Sequence, residues 1–434
     1  MIDEGGEWGE VLKKLETGQN NVFLSGKAGT GKSTLINIFR ERTKKQVVTL
    51  APTGIAAINV RGQTIHSFFK LPPRLITQEV LSRHRFSGAW LSKIEVMIID
   101  EVSMVRADLL DAVDAVMRKW GKSPWSPFGG VRVILVGDPF QLAPIVRGDE
   151  GQILGQRYES PHFFAANCFT SGEFEKVELL HNFRQDEAEY VAVLNKIRDG
   201  SVAETDLELL NRRVGERGEG VVTLGATNEV AGRINLVELA RLNAPEYSYK
   251  AIFEGDYTTS PRLRGASEDF QLPAPAELVL RKGARVMFLR NGASWVNGSM
   301  GYVTSLSEKE IKVKLDTGQE IAVPPETWEK VRYKFNERKE KVEMEVVGKM
   351  IQYPLKLSWA VTVHKSQGMT FDRMYLDLSH QPFAFGQTYV ALSRCRTLAG
   401  LTLSRGLTIR DVKTDAGVGK FMESGWRLVA DESA

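Results

Sequence analysis

The chain has 434 residues, 42% of them hydrophobic, and a net charge of +3. That is long enough for two to four domains with real cores and too apolar for a disordered chain, while a mildly basic balance leaves nucleic acid open as a partner. No apolar stretch approaches the roughly 20 residues of a membrane-spanning helix, the acidic start carries no signal peptide, and the two cysteines, Cys168 and Cys395, are too few for a disulfide framework or a zinc site. A reducing, intracellular compartment is the expectation.

The first element is the apolar run Asn21-Val22-Phe23-Leu24, which reads as a short buried strand. It leads into Gly26-Lys27-Ala28-Gly29-Thr30-Gly31-Lys32-Ser33, a complete G-x-x-x-x-G-K-[ST] loop, and Thr34-Leu35-Ile36 opens a helix after it. Glycines let consecutive backbone N–H groups converge on an anion, and the helix N-terminus adds the positive end of its dipole. A nucleotide phosphate site is therefore expected at Gly26, Ala28, Gly29, Thr30, Gly31, Lys32, Ser33 and Thr34. Lys32 suits the terminal phosphates and the Ser33 hydroxyl a magnesium ion.

Val47–Leu50 is the next strand, and Ala51-Pro52-Thr53-Gly54 follows it. Gln63-Thr64-Ile65-His66-Ser67-Phe68-Phe69 comes soon after. Hydroxyl and imidazole groups can grip a single-stranded backbone, and aromatic rings offer stacking faces. Ordinary loop capping accounts for these polar groups at least as well, and core packing for at least one of the two phenylalanines.

Val96-Met97-Ile98-Ile99 is an apolar strand that ends in Asp100-Glu101. Alternation sends the two carboxylates in different directions at its tip. Asp100 is expected to hold magnesium and Glu101 to orient a water for in-line attack on a γ-phosphate. A crossover helix is predicted from Leu109 to Trp120, then a strand over Val133–Val136 that ends in Gly137-Asp138-Pro139-Phe140-Gln141. Gln141 suits γ-phosphate sensing, and the same letters also make a plain Gly-Asp-Pro turn. Short β-branched strands joined by helices predict a doubly wound parallel sheet with its ligand at the carboxyl ends. This first domain is assigned residues 1–172, with a small insert near 65–85.

A second α/β domain is assigned 173–279 and 357–434, with a helix from Glu187 to Arg198. Between its parts, 280–356 shows strand alternation and turn signals such as Asn297-Gly298 and Asp316-Thr317-Gly318, which predict a small antiparallel module of about five strands. The charged run Asn336–Lys341 reads as a solvated hairpin. Later, the strand Trp359–Val363 leads into His364-Lys365-Ser366-Gln367-Gly368, where polar groups and a glycine at a strand end suit a phosphate contact.

Together these stretches resemble the Pif-type DNA helicases of superfamily one, in the 5′-to-3′ branch. The match is carried by Gly26–Ser33, Ala51–Ala57, Gly62–Phe69, Ile98–Met104, Gly137–Ile145, Leu180–Gln185, Val361–Thr370 and Tyr389–Leu398, in the family's order over nearly the whole chain. The stretch Ser160 to Arg184 looks like the segment that separates this family from RecD-like relatives.

The resemblance implies an α/β fold of two RecA-like P-loop NTPase domains, the second with an SH3-like β-barrel insert. It implies ATP and Mg2+ in the cleft between them. Lys32, Ser33, Asp100, Glu101 and Gln141 would come from the first domain, and Arg184, Arg394 and Gly368 from the second. Pro52, Thr53, His66 and Ser67 would grip single-stranded DNA from one side, and His364, Lys365 and Ser366 from the other.

The implied activity is ATP-driven 5′-to-3′ translocation that unwinds forked and duplex DNA by a monomeric core. By family it extends to G-quadruplexes and RNA–DNA hybrids and to replication, repair, recombination or telomere maintenance. The short termini point to a core helicase of the bacterial cytoplasm and nucleoid, or otherwise of nucleus or mitochondrion. A RecD-like or relaxase-linked helicase and a non-translocating ATP-dependent DNA-binding switch are the alternatives.

Two departures stand out. Relatives carry a glutamine well upstream of the phosphate loop to read adenine, where this chain offers only Gln19 and, further back, Trp8. Ala143 also replaces one proline of the turn after Gln141.

Overall fold

The computed structural model describes residues 6–86, 88–146, 150–185, 187–225, 227–257, 272–336, 338–339, 341–379, 384–424 and 427–428. Apolar strands with no polar face need cover on both sides, and the first sheet shows that solution. Its strands are β1 (Val22–Gly26), β2 (Val47–Ala51), β3 (Gln63–Thr64), β4 (Val96–Ile99), β5 (Arg132–Val136) and β6 (Glu175–Leu179), with a short strand, Arg427–Leu428, at one edge. The order is 427–428, β6, β1, β5, β4, β2, β3, and every pairing is parallel.

Alternation divides the side chains of β1 between the two faces. Val22 and Leu24 pack with Leu35, Ile36 and Phe39 of the helix Lys32–Arg42 and with Val11 and Leu15 of the helix Glu7–Thr17. Phe23 points the other way, into a core with Leu110, Val113 and Met117 of the crossover helix Ala107–Trp120. Phe68 and Phe69 are both buried in that second core.

The expected boundary at 172 is corrected by β6, which pairs with β1 along its whole length and belongs to the first lobe. The last residues are corrected too. Assigned to the second domain, the segment near Ala416–Glu423 returns to the first lobe, where Phe421 stacks on Phe164 with centroids 4.3 Å apart. Glu175-Lys176-Val177-Glu178-Leu179 lacks a continuous apolar run because only Val177 and Leu179 are buried. A two-residue edge strand leaves no pattern in a sequence at all.

The second lobe holds a four-stranded parallel sheet in the order Ala360–Thr362, Val222–Gly225, Met374–Leu376, Leu401–Leu403. The helices Ala188–Asp199 and Gln387–Leu392 share its core. A five-stranded antiparallel sheet stands beside it, in the order Glu320–Val323, Ile311–Leu315, Met300–Leu306, Arg285–Phe288, Leu355–Leu357.

A long hairpin, Glu326–Asn336 with Lys341–Gln352, forms a sheet of its own with Ile252–Gly255. Arg338 and Lys339 near its tip are exposed, but the strands below are not merely solvated. They dock on the first lobe. Thr49 N donates to the Tyr333 hydroxyl at 3.0 Å, Tyr333 N donates to Gln63 Oε1, and Val342 N donates to Gln46 Oε1. The Tyr333 ring meets Phe68 edge-on at 5.7 Å. Among the described residues no helix is long and apolar enough to cross a membrane.

Candidate nucleotide site at the seam of two lobes

The turn from β1 into the helix Lys32–Arg42 needs backbone that only glycine adopts cheaply. Gly29 and Gly31 have φ of 90° and 76°. A Cβ on Gly29 would lie 2.7 Å from the Arg184 Cβ, and one on Gly31 would lie 2.4 Å from a Trp8 ring carbon. The loop is thus closely walled by other parts of the chain. Lys32 Nζ donates to Gly26 O at 2.6 Å and to Lys27 O at 3.0 Å. Burial lowers the pKa of this ammonium, and the nearby Asp138, Glu101 and Asp100 oppose that shift.

The carboxylates at the end of β4 stand against the same loop. Ser33 Oγ donates to Asp100 Oδ2 at 3.0 Å, and Glu101 N donates to Asp100 Oδ1. Glu101 takes a left-handed backbone, φ 52°, which turns the chain sharply off the strand. Burial, then the neighbouring Asp100 charge, pushes the Glu101 carboxyl up to about 7. Burial also raises Asp100. A magnesium ion wants oxygen ligands, one or two of them protein carboxylates, the rest phosphate and water. One buried carboxylate paired with one hydroxyl beside a phosphate loop fits that requirement.

The second lobe closes the site. Gln367 Nε2 donates to Glu101 Oε2 at 2.9 Å and to Gln141 Oε1 at 3.3 Å. Ala28 N donates to the Tyr389 hydroxyl at 2.9 Å. Phe183 N donates to Gly29 O, which lays Leu180–Gln185 along the phosphate loop. Arg394 is 1% exposed, and among the described residues its guanidinium donates to neutral oxygens, Val390 O and Ser393 Oγ. Arg184 donates to Ser393 O. Burial and then the Arg184 charge lower the Arg394 pKa. An arginine does not deprotonate in a protein, and the nearby Glu101 and Asp138 oppose the shift, so two guanidinium groups stay charged beside the phosphate loop with the carboxylates of the site close by.

Behind Gln141, Asp138 is fully buried and pairs with Arg198 of the helix Ala188–Asp199, Nη2 to Oδ1 at 3.0 Å. Burial works against the Arg198 charge, and Asp138 more than offsets it. The same guanidinium lies 4.4 Å over the Phe140 ring.

The predicted strand-gripping residues divide. Ser67 is exposed, and its hydroxyl accepts from Gln63 Nε2. Pro52 and His66 are half-buried, and Thr53 uses its hydroxyl to cap the helix Gly54–Asn59. His364 opens a short 3-10 turn that ends at Ser366. Lys365 is exposed on that turn, and partial desolvation of its ammonium lowers its pKa. Burial and the Lys365 charge push Lys356 down to about 8. Ser366 is corrected: it is fully buried and donates to Val363 O, so its hydroxyl braces the turn. Gly368, φ 78°, is exposed with open space around it, and Thr34 is exposed in the first helical turn. Gln19 precedes β1, at the amino ends of the strands, and is far from the loop it was considered for.

Sequence reasoning passed over Gln367, Tyr389 and Arg198. Gln367 and Tyr389 fall inside stretches that carried the resemblance, and position in a motif was the only available signal. Arg198 had none, because its partner is 60 residues away.

Two parallel sheets with a phosphate loop on one, catalytic-type carboxylates beside it and arginines delivered by the other define a P-loop motor ATPase. A model of the "PIF1-like helicase" family matches residues 10–208. The chain is 35% identical to a Bdellovibrio bacteriovorus protein named ATP-dependent DNA helicase Pif1, over 93% of this chain and 88% of that one. A crystal structure of a Bacteroides Pif1 with ADP-AlF4 is 35% identical and superposes with a TM-score of 0.87, covering 98% of this chain and 97% of that one. The same Bacteroides protein bound to single-stranded DNA gives 0.68 at the same coverage. The chain belongs to the PIF1-like helicase family, and its two parallel-sheet lobes are RecA-like.

Proposed function

We propose that this chain is an ATP-dependent DNA helicase that moves 5′ to 3′ on single-stranded DNA and separates duplex ahead of it. The observation that carries this reading is the pair of guanidinium groups set against the phosphate loop, Arg394 buried and Arg184 half-buried, whose hydrogen-bond partners among the described residues are neutral oxygens. Two lobes contribute to one anion site, so binding a triphosphate draws them together and losing the γ-phosphate lets them part.

In this reading Gly26, Ala28, Gly29, Thr30, Gly31, Ser33 and Thr34 cradle the phosphates, and Lys32 leaves its two carbonyl partners for the terminal oxygens. Ser33 and Asp100 would hold Mg2+, which when bound neutralises phosphate charge. Glu101, in its carboxylate form, positions the attacking water and accepts its proton. Gln141 and Gly368 line the γ-phosphate side. Arg184 and Arg394 offset the charge that develops on the equatorial oxygens.

Strand contacts are proposed for Pro52, Thr53, His66 and Ser67 on the first lobe and for His364 and Lys365 on the second. Ser366 acts through the turn it braces. The five-stranded sheet is taken as the family's SH3-like insert. Relatives named DNA helicases, and the structures of a Bacteroides Pif1 with single-stranded and with forked DNA, support the substrate class. The placement follows the substrate, wherever the cell keeps its DNA.

Unwinding of matched duplexes with a 5′ or a 3′ tail tests the reading. Separation of the 5′-tailed duplex alone, and only with hydrolysable ATP, is expected. Tight DNA binding with no strand separation on either substrate would leave a nucleotide-gated switch in its place.

A further inference from the structure

The seam described so far accounts for the phosphates and says nothing of the base. Lys32 and Ser33 take the terminal phosphates in the proposed reading, so the nucleoside leaves at the first turn of the helix Lys32–Arg42. The wall there is aromatic. Trp8, in the first turn of the helix Glu7–Thr17, lies so close to Gly31 that a Cβ would meet its ring at 2.4 Å. The Phe183 ring stands edge-on to it at 5.2 Å, and Phe183 is 58% exposed. Phe183 N donates to Gly29 O, so its backbone is anchored on the phosphate loop, as the Trp8 ring is by its close approach to Gly31.

Among the described residues, two polar side chains beside these rings, Glu7 and Asn182, are already committed, and the exposed His181 ring stands edge-on to Phe183 at 4.4 Å and extends the aromatic face. Glu7 accepts from Leu180 N at 2.6 Å and from His181 N at 3.4 Å. Asn182 accepts from Arg184 N and Gln185 N and donates to Gln185 Oε1. Gln19 lies at the other end of the strand. Trp8 Nε1 is closed off from solvent and has no acceptor among the described residues. An unpartnered buried N–H is a cost that simple packing by Phe or Leu would avoid, so the indole is there for its face.

We propose that Trp8 and Phe183 form the nucleobase wall of this site, and that the site selects by stacking on a purine face, so that adenosine and guanosine triphosphates are turned over alike. A site that hydrogen-bonds a substrate edge rejects an analogue lacking that edge strongly, whereas one that offers only apolar faces discriminates weakly. Stacking tolerates any base and favours the larger rings. The inference rests on the reading of Gly26–Ser33 as the triphosphate site.

Steady-state hydrolysis on single-stranded DNA with ATP, GTP, CTP and UTP tests it, in the full chain and in Trp8→Ala, Trp8→Phe, Phe183→Ala and Lys32→Ala. The expected kcat/KM values for ATP and GTP agree within about fivefold and exceed those of the pyrimidines. Trp8→Ala should raise KM for both purines about tenfold while kcat at saturation holds, and Trp8→Phe should restore most of the loss. Inhibition by inorganic tripolyphosphate should be the same in Trp8→Ala as in the parent, which separates a lost base contact from a collapsed loop. A preference for ATP over GTP of about a hundredfold or more, or an unchanged KM in Trp8→Ala, overturns the proposal. Hydrolysis that survives in Lys32→Ala instead overturns the phosphate site beneath it.

Discussion

At the scale of single residues, the seam depends on side chains that are useless to either lobe alone. Arg394 is buried against neutral oxygens and beside another arginine, an arrangement that costs stability until a phosphate arrives. Arg394→Ala is therefore expected to bind ATP near normally and to lose turnover by roughly 10^3-fold, the usual effect of removing a charge-stabilising arginine. Equilibrium nucleotide binding beside single-turnover hydrolysis checks this, and undiminished hydrolysis would remove Arg394 from the reacting set.

Gln367 touches Glu101 and Gln141 and follows directly on His364-Lys365-Ser366. One hydrogen bond thus links the proposed strand grip to the carboxylate proposed to activate water. Gln367→Ala should keep the DNA-free ATPase rate within about threefold and blunt its stimulation by single strands. Equal stimulation in parent and variant would show that the link is only structural. Lys356, close enough to the proposed strand contact Lys365 to feel its charge, gives a pH signature. An ammonium held near 8 is charged below that pH and neutral above it, so strand affinity should weaken between pH 7 and 9 more in the parent than in Lys356→Arg. A parallel decline in both proteins would place Lys356 away from the strand.

Between elements, one buried ion pair and one docked hairpin tie the lobes together. Asp138 lies beyond β5 and Arg198 on the helix Ala188–Asp199, both nearly inaccessible. Removing one partner leaves a buried charge uncompensated, so Arg198→Met should cost about 3–5 kcal/mol by denaturant unfolding. The double variant Asp138→Asn with Arg198→Met should recover part of it. A loss under about 1 kcal/mol would mean that the pair is hydrated in solution.

The hairpin is held on the first lobe through Tyr333. In Tyr333→Ala, amides of Glu326–Asn336 should exchange with solvent at least about tenfold faster while those of β1 keep their protection. These contacts also mark the limit of what was legible. The phosphate loop, the Asp100-Glu101 tip and the crossover helix were readable because each signal lies within a dozen consecutive residues. The edge strand Arg427–Leu428, the Arg198 partner and the hairpin dock were not, since each depends on residues brought together from distant parts of the chain. Ser366 shows the opposite error: a hydroxyl in a motif was assumed to face a ligand, and it turns inward to hold the motif's shape.

For the whole molecule, the claim is mechanical. Two RecA-like lobes share one nucleotide, each is taken to carry part of a strand grip, and the opening and closing of the seam advances the strand. Cys168 and Cys395 are buried, so dyes can be placed at Lys44→Cys on the first lobe and Glu216→Cys on the second, both exposed positions. The distance between those dyes, followed by energy transfer during ATP turnover on single-stranded DNA, is the most direct test. The account predicts that it shortens when a non-hydrolysable ATP analogue binds and lengthens again with ADP. A distance that stays constant while ATP is consumed and duplex is separated would contradict it.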